Sequence, residues 1–464
     1  VGSIKFNRSF ILGITLVSAM GGLLFGYDYV VIGGAKPFYE RFFDITGSPH
    51  LQGWAMSSAL IGCLFGALGS GYLSDLYGRK LPLITAAALF TIGALGTGSV
   101  NDYNAFILFR LICGLGIGLA SAISPMYIAE ISPAAYRGRL VSINQLTIVI
   151  GILAAQIMNY LIAEKVPTGS TDEMILQSWN GQMGWRWMFW AGTFPALIFL
   201  VLSFFIPESP RYLVKKGKKE AALAILERIG GRNHAQQEYA EIADTIHASS
   251  SKIEWKILSS GKVRPVLVLG IVLAVFQQWC GINVIFNYAD EIFASAGYSV
   301  GEMLFNIVIT GSVNLLFTFI AIRAVDSWGR RKLMLLGAAG LSVIYLLLGA
   351  SYYFELKGMA ILVLVLAAIA TFAMTLGPVT WVVLSEIFPN SVRGTAMAIA
   401  TTSLWVGCFV LTYTFPILNR LLNASGTFWL YTVICLSGFL YILKNLPETK
   451  GQSLEEIERV RNLE

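Results

Sequence analysis

The chain is 464 residues long, 56% hydrophobic and only 13% charged, with a mean hydropathy of +0.67 and a formal net charge of +6. Apolar residues arriving in blocks of membrane-spanning length exclude a soluble globular domain and predict a polytopic membrane protein. The excess of Lys and Arg gathers in short loops between those blocks, so the positive charge reads as membrane topology and not as a nucleic-acid surface.

Taking about 18 to 20 apolar residues per crossing, the sequence predicts spans near 10–32, 53–75, 81–100, 104–127, 140–162, 184–206, 264–288, 303–323, 333–354, 359–386, 395–418 and 427–446. Twelve crossings put both termini on one side. Lys5, Arg8, Arg79, Lys80, Arg137, Arg139, Arg330 to Lys332 and Arg393 mark that side as cytoplasmic. The first span has no small-residue cleavage site and reads as a retained helix.

Span one contains a charge, Asp28 in Phe25-Gly26-Tyr27-Asp28-Tyr29. A lone ion at membrane depth costs on the order of 3 kcal/mol, so Asp28 needs a partner, and Arg110 in span four is the candidate. Asp28 stands about 27 Å along its helix from Phe10, and Arg110 about 9 Å from Asn104, at 1.5 Å per residue. With span one running outward and span four inward, both fall in the outer part of the membrane and meet if the two spans pack together.

Also in span four, Gly114-Leu115-Gly116-Ile117-Gly118 lacks the preceding strand and acidic partner of a dinucleotide loop. It predicts close helix packing through small residues four apart. The five cysteines each lie alone inside an apolar span, and the three histidines lie outside the spans. No disulfide framework, metal site or cofactor is expected. Residues 207–260 are polar and carry two helical patterns, Lys219 to Ile229 ending at Gly230-Gly231, and Ala235 to Ala248. They lack a phosphate loop or an acid/base constellation, which argues against an enzyme. Ser453-Leu454-Glu455-Glu456 predicts a further capped helix in the tail.

The loops reveal a duplication. Asp75-Leu76-Tyr77-Gly78-Arg79-Lys80 after span two returns as Asp326-Ser327-Trp328-Gly329-Arg330-Arg331 after span eight, and Glu130 with Arg137-Gly138 returns as Glu386 with Arg393-Gly394. The spacing from Glu to Arg is seven residues in both copies. The predicted fold is therefore an all-α integral membrane protein of twelve transmembrane helices in two pseudo-symmetric six-helix halves, with a substrate site between them. The boundaries are 1–206 for the first half, 207–260 for a cytoplasmic helical linker, 261–446 for the second half and 447–464 for a cytoplasmic tail. An Asp at a helix end, a Gly at a tight reversal and an Arg bridging to a neighbouring acid suit packed helix ends. Such clusters form a candidate cytoplasmic gate latching the halves; a topogenic charge cluster is the alternative.

Over nearly its whole length the chain resembles a sugar porter of the major facilitator superfamily, similar to bacterial xylose/proton symporters and to glucose facilitators. The likeness rests on Gly71 to Lys80, Pro125 to Arg139, Pro207-Glu208-Ser209-Pro210-Arg211, Gln277-Gln278 through Gly281-Ile282-Asn283, Gly377-Pro378 through Trp381, Glu386 through Arg393-Gly394, and Pro447-Glu448-Thr449. It adds Glu208, Arg211 and Glu448 to the candidate gate. It implies a monosaccharide carrier working by alternating access, a monomer in the cell membrane.

A sugar site needs amides to pair with hydroxyls and an aromatic face against the ring's C–H surface. Gln145, Gln277, Gln278, Asn283 and Asn314 offer the amides, with interhelical bonding as the other reading of each. Gln278 and Asn283 stand five residues apart, which needs Gly281 to loosen the helix. Trp381, four residues after Gly377-Pro378, covers the cavity's inner side, with Phe25 and Trp405 as further aromatics. Compared with the family, Ile152 and Phe286 resemble the glucose facilitators, Leu404 replaces a symporter glutamine, Cys408 replaces an amide, and Asn287 stands where tyrosine is usual. Proton-driven members carry Asp where this chain has Asp28, and facilitators carry Asn. The resemblance thus implies a proton as second transported species, its coupling resting on Asp28 and Arg110. Gly192 stands where the xylose symporter has a second acid. Uptake of glucose, xylose or a related sugar with a proton is the leading expectation, a uniporter the second, and a membrane sugar sensor the third.

Overall fold

The computed structural model describes residues 6–133, 136–167, 169–248, 263–388 and 392–450. Among them there is no strand, and helices follow one another with short turns. The first half comprises α1 (Arg8–Phe42), α2 (Pro49–Tyr77), α3 (Lys80–Ser99), α4 (Tyr103–Ile131) and α5 (Arg137–Ile162), then the short α6 (Asp172–Gln177). Its sixth span is a π-turn (Asn180–Gly184) leading into α7 (Trp185–Ala191) and α8 (Thr193–Ser203). Then come α9 (Pro210–Lys215) and α10 (Lys219–Ala248), which breaks at Gly231 where φ is +81°. The second half comprises α11 (Arg264–Trp279), α12 (Ile282–Asn287), α13 (Ala289–Ser295), α14 (Val300–Trp328), α15 (Arg330–Tyr353), α16 (Met359–Met374), α17 (Leu376–Ile387) and α18 (Arg393–Asn445).

Several helix starts are written in the sequence. Asn7 accepts from the Phe10 amide at 3.1 Å, Asp102 from Ala105 at 2.9 Å, and Ser299 with Glu302 forms a reciprocal capping box. Among the described residues, eleven helices are long and apolar enough to cross a membrane. The last apolar stretch, Thr395–Asn445, has 51 residues and would reach about 76 Å as one rod, more than twice the hydrocarbon thickness. It turns at Asn423, whose φ is +57°, and so supplies the eleventh and twelfth crossings. The expected spans are present. The chief difference is at the far end of α1, which runs ten residues beyond the predicted 32 to Phe42, past Lys36, Pro37 and Glu40.

Packing follows the small residues. A Cβ on Gly114 would lie 2.0 Å from the Ala59 carbonyl oxygen and one on Gly118 2.2 Å from that of Cys63, so α4 lies backbone to backbone on α2. That is the close packing expected of the Gly114 to Gly118 run. Large apolar side chains such as Phe65, Phe194, Phe205 and Leu440 stay exposed around the bundle, as a lipid-facing belt requires. The halves meet where α1 touches α12 and α13, α2 touches α18, and α5 touches α14. At that seam Gln156 on α5 donates to Thr310 on α14 at 3.5 Å.

The linker helix α10 sits under the first half. Ile11, Leu226, Ile229 and Ala235 form a small core with Phe6, Phe10, Leu140 and Tyr239, and the Asn7 amide donates to the Ile229 carbonyl at 2.9 Å. Residues 249–260 of the linker and the predicted tail helix at Ser453 lie outside the described residues.

Candidate functional site

The charge expected to need a partner has it. Arg110 Nη1 on α4 donates to both oxygens of Asp28 on α1, at 2.7 and 2.8 Å, and the Cys113 thiol donates to Oδ1 at 3.3 Å. Both ions are out of solvent, Asp28 7% and Arg110 2% exposed. The guanidinium lies 5.8 Å from the centre of the Phe189 ring. A cavity of about 10 Å³ adjoins the pair, lined in part by Tyr29, Cys63 and Asn287. It is the size of one water. On the neighbouring span six, a Cβ at Gly192 would come within 2.9 Å of the Tyr27 ring. The Tyr27 hydroxyl is anchored on the Met188 carbonyl at 3.1 Å, so Tyr27 occupies the space a second acid would need.

Span seven breaks between α11 and α12 at Gly281, whose φ of +88° is a left-handed backbone that favours glycine. The break lets side chains five residues apart meet. Asn283 Nδ2 donates to Gln278 Oε1, and Gln278 Nε2 donates to Gln277 Oε1, giving a buried chain of three amides. Asn283 Nδ2 also lies 3.7 Å from Cys408 Sγ on α18, and that sulfur is 3.6 Å from the Tyr29 hydroxyl on α1. Cys408 thus stands between an amide of one half and a phenol of the other. Phe25 and Trp405 face each other across the same seam with ring centres 5.7 Å apart.

Other expected pocket residues are less closely joined. Ile152 and Phe286 are buried, Asn287 is buried with Oδ1 unpartnered, and Asn314 is buried on α14. Gln145 is exposed on α5, its neighbour Asn144 facing Gly22 instead. Trp381 is 36% exposed on α17, and Gly377 lies in that helix's first turn, just past a non-helical Thr375.

At the basic end the duplicated signatures fold into duplicated clusters. Arg79 bridges to Glu130 at 2.6 Å, Ser209 donates to the same carboxylate at 2.5 Å, and Glu208 accepts the Arg79 amide at 2.8 Å. In the second half Arg330 bridges to Glu386 at 3.0 Å, Thr449 donates to that carboxylate at 2.6 Å, and Glu448 accepts the Arg330 amide at 2.8 Å. Each cluster joins one half only to the segment that directly follows it, and neither reaches the other half. Asp75 pairs with Lys215 of the linker at 2.9 Å. Arg137 and Arg211 are exposed, and the side chains of Asp326 and Arg393 lie outside the described residues.

A fourth ionic group, which the sequence reading did not single out, lies at the opposite end. Lys36 on α1 is 2% exposed, and its Nζ lies 2.6 Å from Glu291, 3.1 Å from Asp290 and 3.4 Å from Glu40. The signal was present as Lys36 and Glu40 one helical turn apart and adjacent acids at 290 and 291. Both stood beyond the predicted spans, where charge is ordinary.

The Sugar (and other) transporter family model matches residues 14–460. The D-xylose-proton symporter of Escherichia coli (strain K12) is 39% identical, the match covering 98% of this chain and 96% of the symporter. The arabinose-proton symporter of Bacillus subtilis (strain 168) is likewise 39% identical over 98% of this chain and 96% of its own. Among solved structures, the inward open conformation of the E. coli xylose transporter superposes with a TM-score of 0.85 at 37% identity, covering 97% of this chain and 99% of that one.

Proposed function

Because the chain belongs to the sugar transporter family, we infer that it imports a monosaccharide together with a proton by alternating access, and that it is not an enzyme. The observation that carries the proton is the Asp28–Arg110 pair, buried between α1 and α4 beside the seam of the halves.

The geometry offers Asp28 two exclusive partners, the Arg110 guanidinium or a proton. Proton uptake on Asp28 removes the charge that holds Arg110 and lets α1 shift relative to α4. Tyr29, next in sequence, carries that shift to Cys408 and Asn283, where we place the sugar. Gln145, Gln277, Gln278, Asn283, Asn287 and Asn314 meet its hydroxyls, Ile152 and Phe286 limit its size, and Phe25, Trp381 and Trp405 cover its C–H face, with Gly377 leaving room beside Trp381. The substrate is a pentose or hexose. The basic end faces the cytoplasm, as its loop charges direct. When that end shuts, the clusters of Arg79, Glu130, Glu208 and Arg330, Glu386, Glu448 come together as its latch, with Asp75, Arg137, Arg211, Asp326 and Arg393 around them. The protein works as a monomer in the cell's inner membrane.

Sugar-triggered proton uptake into proteoliposomes tests the reading. Asp28→Asn is expected to keep sugar exchange while the steady-state accumulation ratio falls to one; uphill accumulation by that variant overturns proton coupling at Asp28. A facilitated uniporter is the second reading, favoured by Tyr27 occupying the space at Gly192. It predicts no proton uptake with sugar in the wild type.

A further inference from the structure

The ions around Lys36 do not balance. One ammonium faces three carboxylates, and Asp290 and Glu40 are each only 5% exposed. Asp290 Oδ1 has no hydrogen-bond partner, and Glu40 Oε1 has only the Lys36 ammonium at 3.4 Å, out of hydrogen-bond geometry. Their other oxygens and Glu291 are engaged: Glu40 Oε2 accepts from Gln52 at 3.1 Å, Asp290 Oδ2 from Lys36 at 3.1 Å, and Glu291 Oε2 from Asn419 at 3.1 Å.

The other titratable and charged groups around the cluster do not supply the missing positive charge. Arg41 on α1 is committed to Asp172 at 2.8 Å, Arg420 on α18 donates to the Gly47 carbonyl at 3.2 Å, and His50 on α2 lies against the Tyr413 hydroxyl at 3.2 Å, making no ion pair with the four residues. Arg110 on α4 lies beyond Tyr39 and is held by Asp28. Tyr39 and Tyr288 can carry no positive charge, the Tyr288 ring lying 5.5 Å from the Lys36 ammonium. Two carboxylates buried to this degree around one ammonium leave an uncompensated charge, which a proton removes at the least cost. Burial pushes the Asp290 carboxyl up, to about 6, Lys36 opposing the shift and Glu291 adding to it.

The cluster also spans the seam. Lys36 and Glu40 belong to α1 of the first half, and Asp290 and Glu291 to α13 of the second. Opening this end parts the two pairs and hydrates all three acids. A cavity of about 500 Å³, lined by the four residues together with Arg41, Gln52 and others, gives water access from that side.

We propose that Lys36, Glu40, Asp290 and Glu291 form an outer gate that shuts by taking one proton from the external medium, a protonation site separate from Asp28. The orientation rests on the inward-directed basic end and alternating access inferred above. The proton bonds to a carboxylate oxygen of Glu40 or Asp290 on closing and returns to the same side on opening. It therefore adds nothing to transport stoichiometry and makes the gate sensitive to external pH. The ammonium holds the position among the carboxylates that a metal cation would take, so the ligand is the proton.

The test uses the full chain in nanodiscs, in an Asp28→Asn background that silences the other site. Spin labels go on Thr46→Cys and Ala294→Cys, exposed positions on the two sides of the seam, and the five native cysteines are buried. The shut-to-open ratio read from label distances should rise on going from pH 8.5 to 5.5, by up to about tenfold per unit at its steepest, the limit for one proton. Glu40→Gln with Asp290→Asn should stay shut across that range. Lys36→Met, in which only the acids remain, should open at pH 8.5 and shut in acid. A ratio independent of pH in the parent, an unchanged pH response in the double amide variant, or pH-independent opening of Lys36→Met each overturns the proposal. Since Asp28 is absent throughout, these outcomes leave the symport reading untouched.

Discussion

The two ends of the molecule hold their charges in opposite ways. At the basic end the ionic clusters come in a matched pair, one per half, built from the same parts: an Arg from the loop after the second helix, a Glu at the end of the fourth, and a Glu and a hydroxyl after the sixth. At the other end a single cluster, with no copy elsewhere among the described residues, joins one half to the other. Duplicated bonds within each half make it a rigid body. An unduplicated bond between halves sets how those bodies sit. The contrast assigns stability to one end and conformational equilibrium to the other.

Mutation at the basic end should give the largest losses of folding stability. Arg79→Ala strands Glu130, whose side chain is only 9% exposed, and should cost about 3 kcal/mol, read as a lower unfolding midpoint in detergent. Arg330→Ala should cost less, because its pair with Glu386 is more exposed. A larger loss from Lys36→Met than from Arg79→Ala would break the division between the ends. Next comes Gly281→Ala, which meets a left-handed backbone and a Tyr431 ring atom 3.0 Å from the new methyl. It should cost about 1 to 3 kcal/mol and weaken sugar binding, measured by calorimetry. Ser209→Ala and Thr449→Ala sharpen the symmetry, each removing a hydroxyl donor to a cluster Glu for about 1 kcal/mol, and Ser209→Ala loses in addition its cap on the Tyr212 amide of α9. The exposed Asp75–Lys215 pair should matter least, with Asp75→Asn changing stability by no more than about 0.5 kcal/mol.

Much of the fold was legible because the bilayer imposes one length on every crossing and leaves charge conspicuous. The repeat was legible in loops where Gly78 and Gly329 turn the chain with φ of +88° and +90°. Asp28 and Arg110 were legible as a pair because neither can be left alone in lipid. Gly281 announced the break that brings Gln278 to Asn283. The Lys36 cluster was not legible, since charges past the end of an apolar run give no sign of being buried. Its burial depends on α1 continuing through Pro37 and on the second half covering it. Nor did the motif order show that Arg79 and Arg330 bond within their halves, because membership of a half is a matter of helix packing. The sulfur between Tyr29 and Asn283 joins residues 379 and 125 positions apart in the chain, a separation at which periodicity is silent.

Helix α1 is one unbroken rod from Arg8 to Phe42, and within it stand Phe25 against Trp405, Asp28 on Arg110 and Lys36 among its three acids. Phe25 and Lys36 are only about 17 Å apart along the axis. A rod of that kind works as a camshaft for the roles proposed above: substrate contact, proton acid and latch are set at fixed angles on one axle and keep their timing without a signal passing between them. One residue inserted between Asp28 and Lys36 would turn the latch by about 100° relative to the acid. All three stations would keep their residues, and the machine would lose its sequence of strokes.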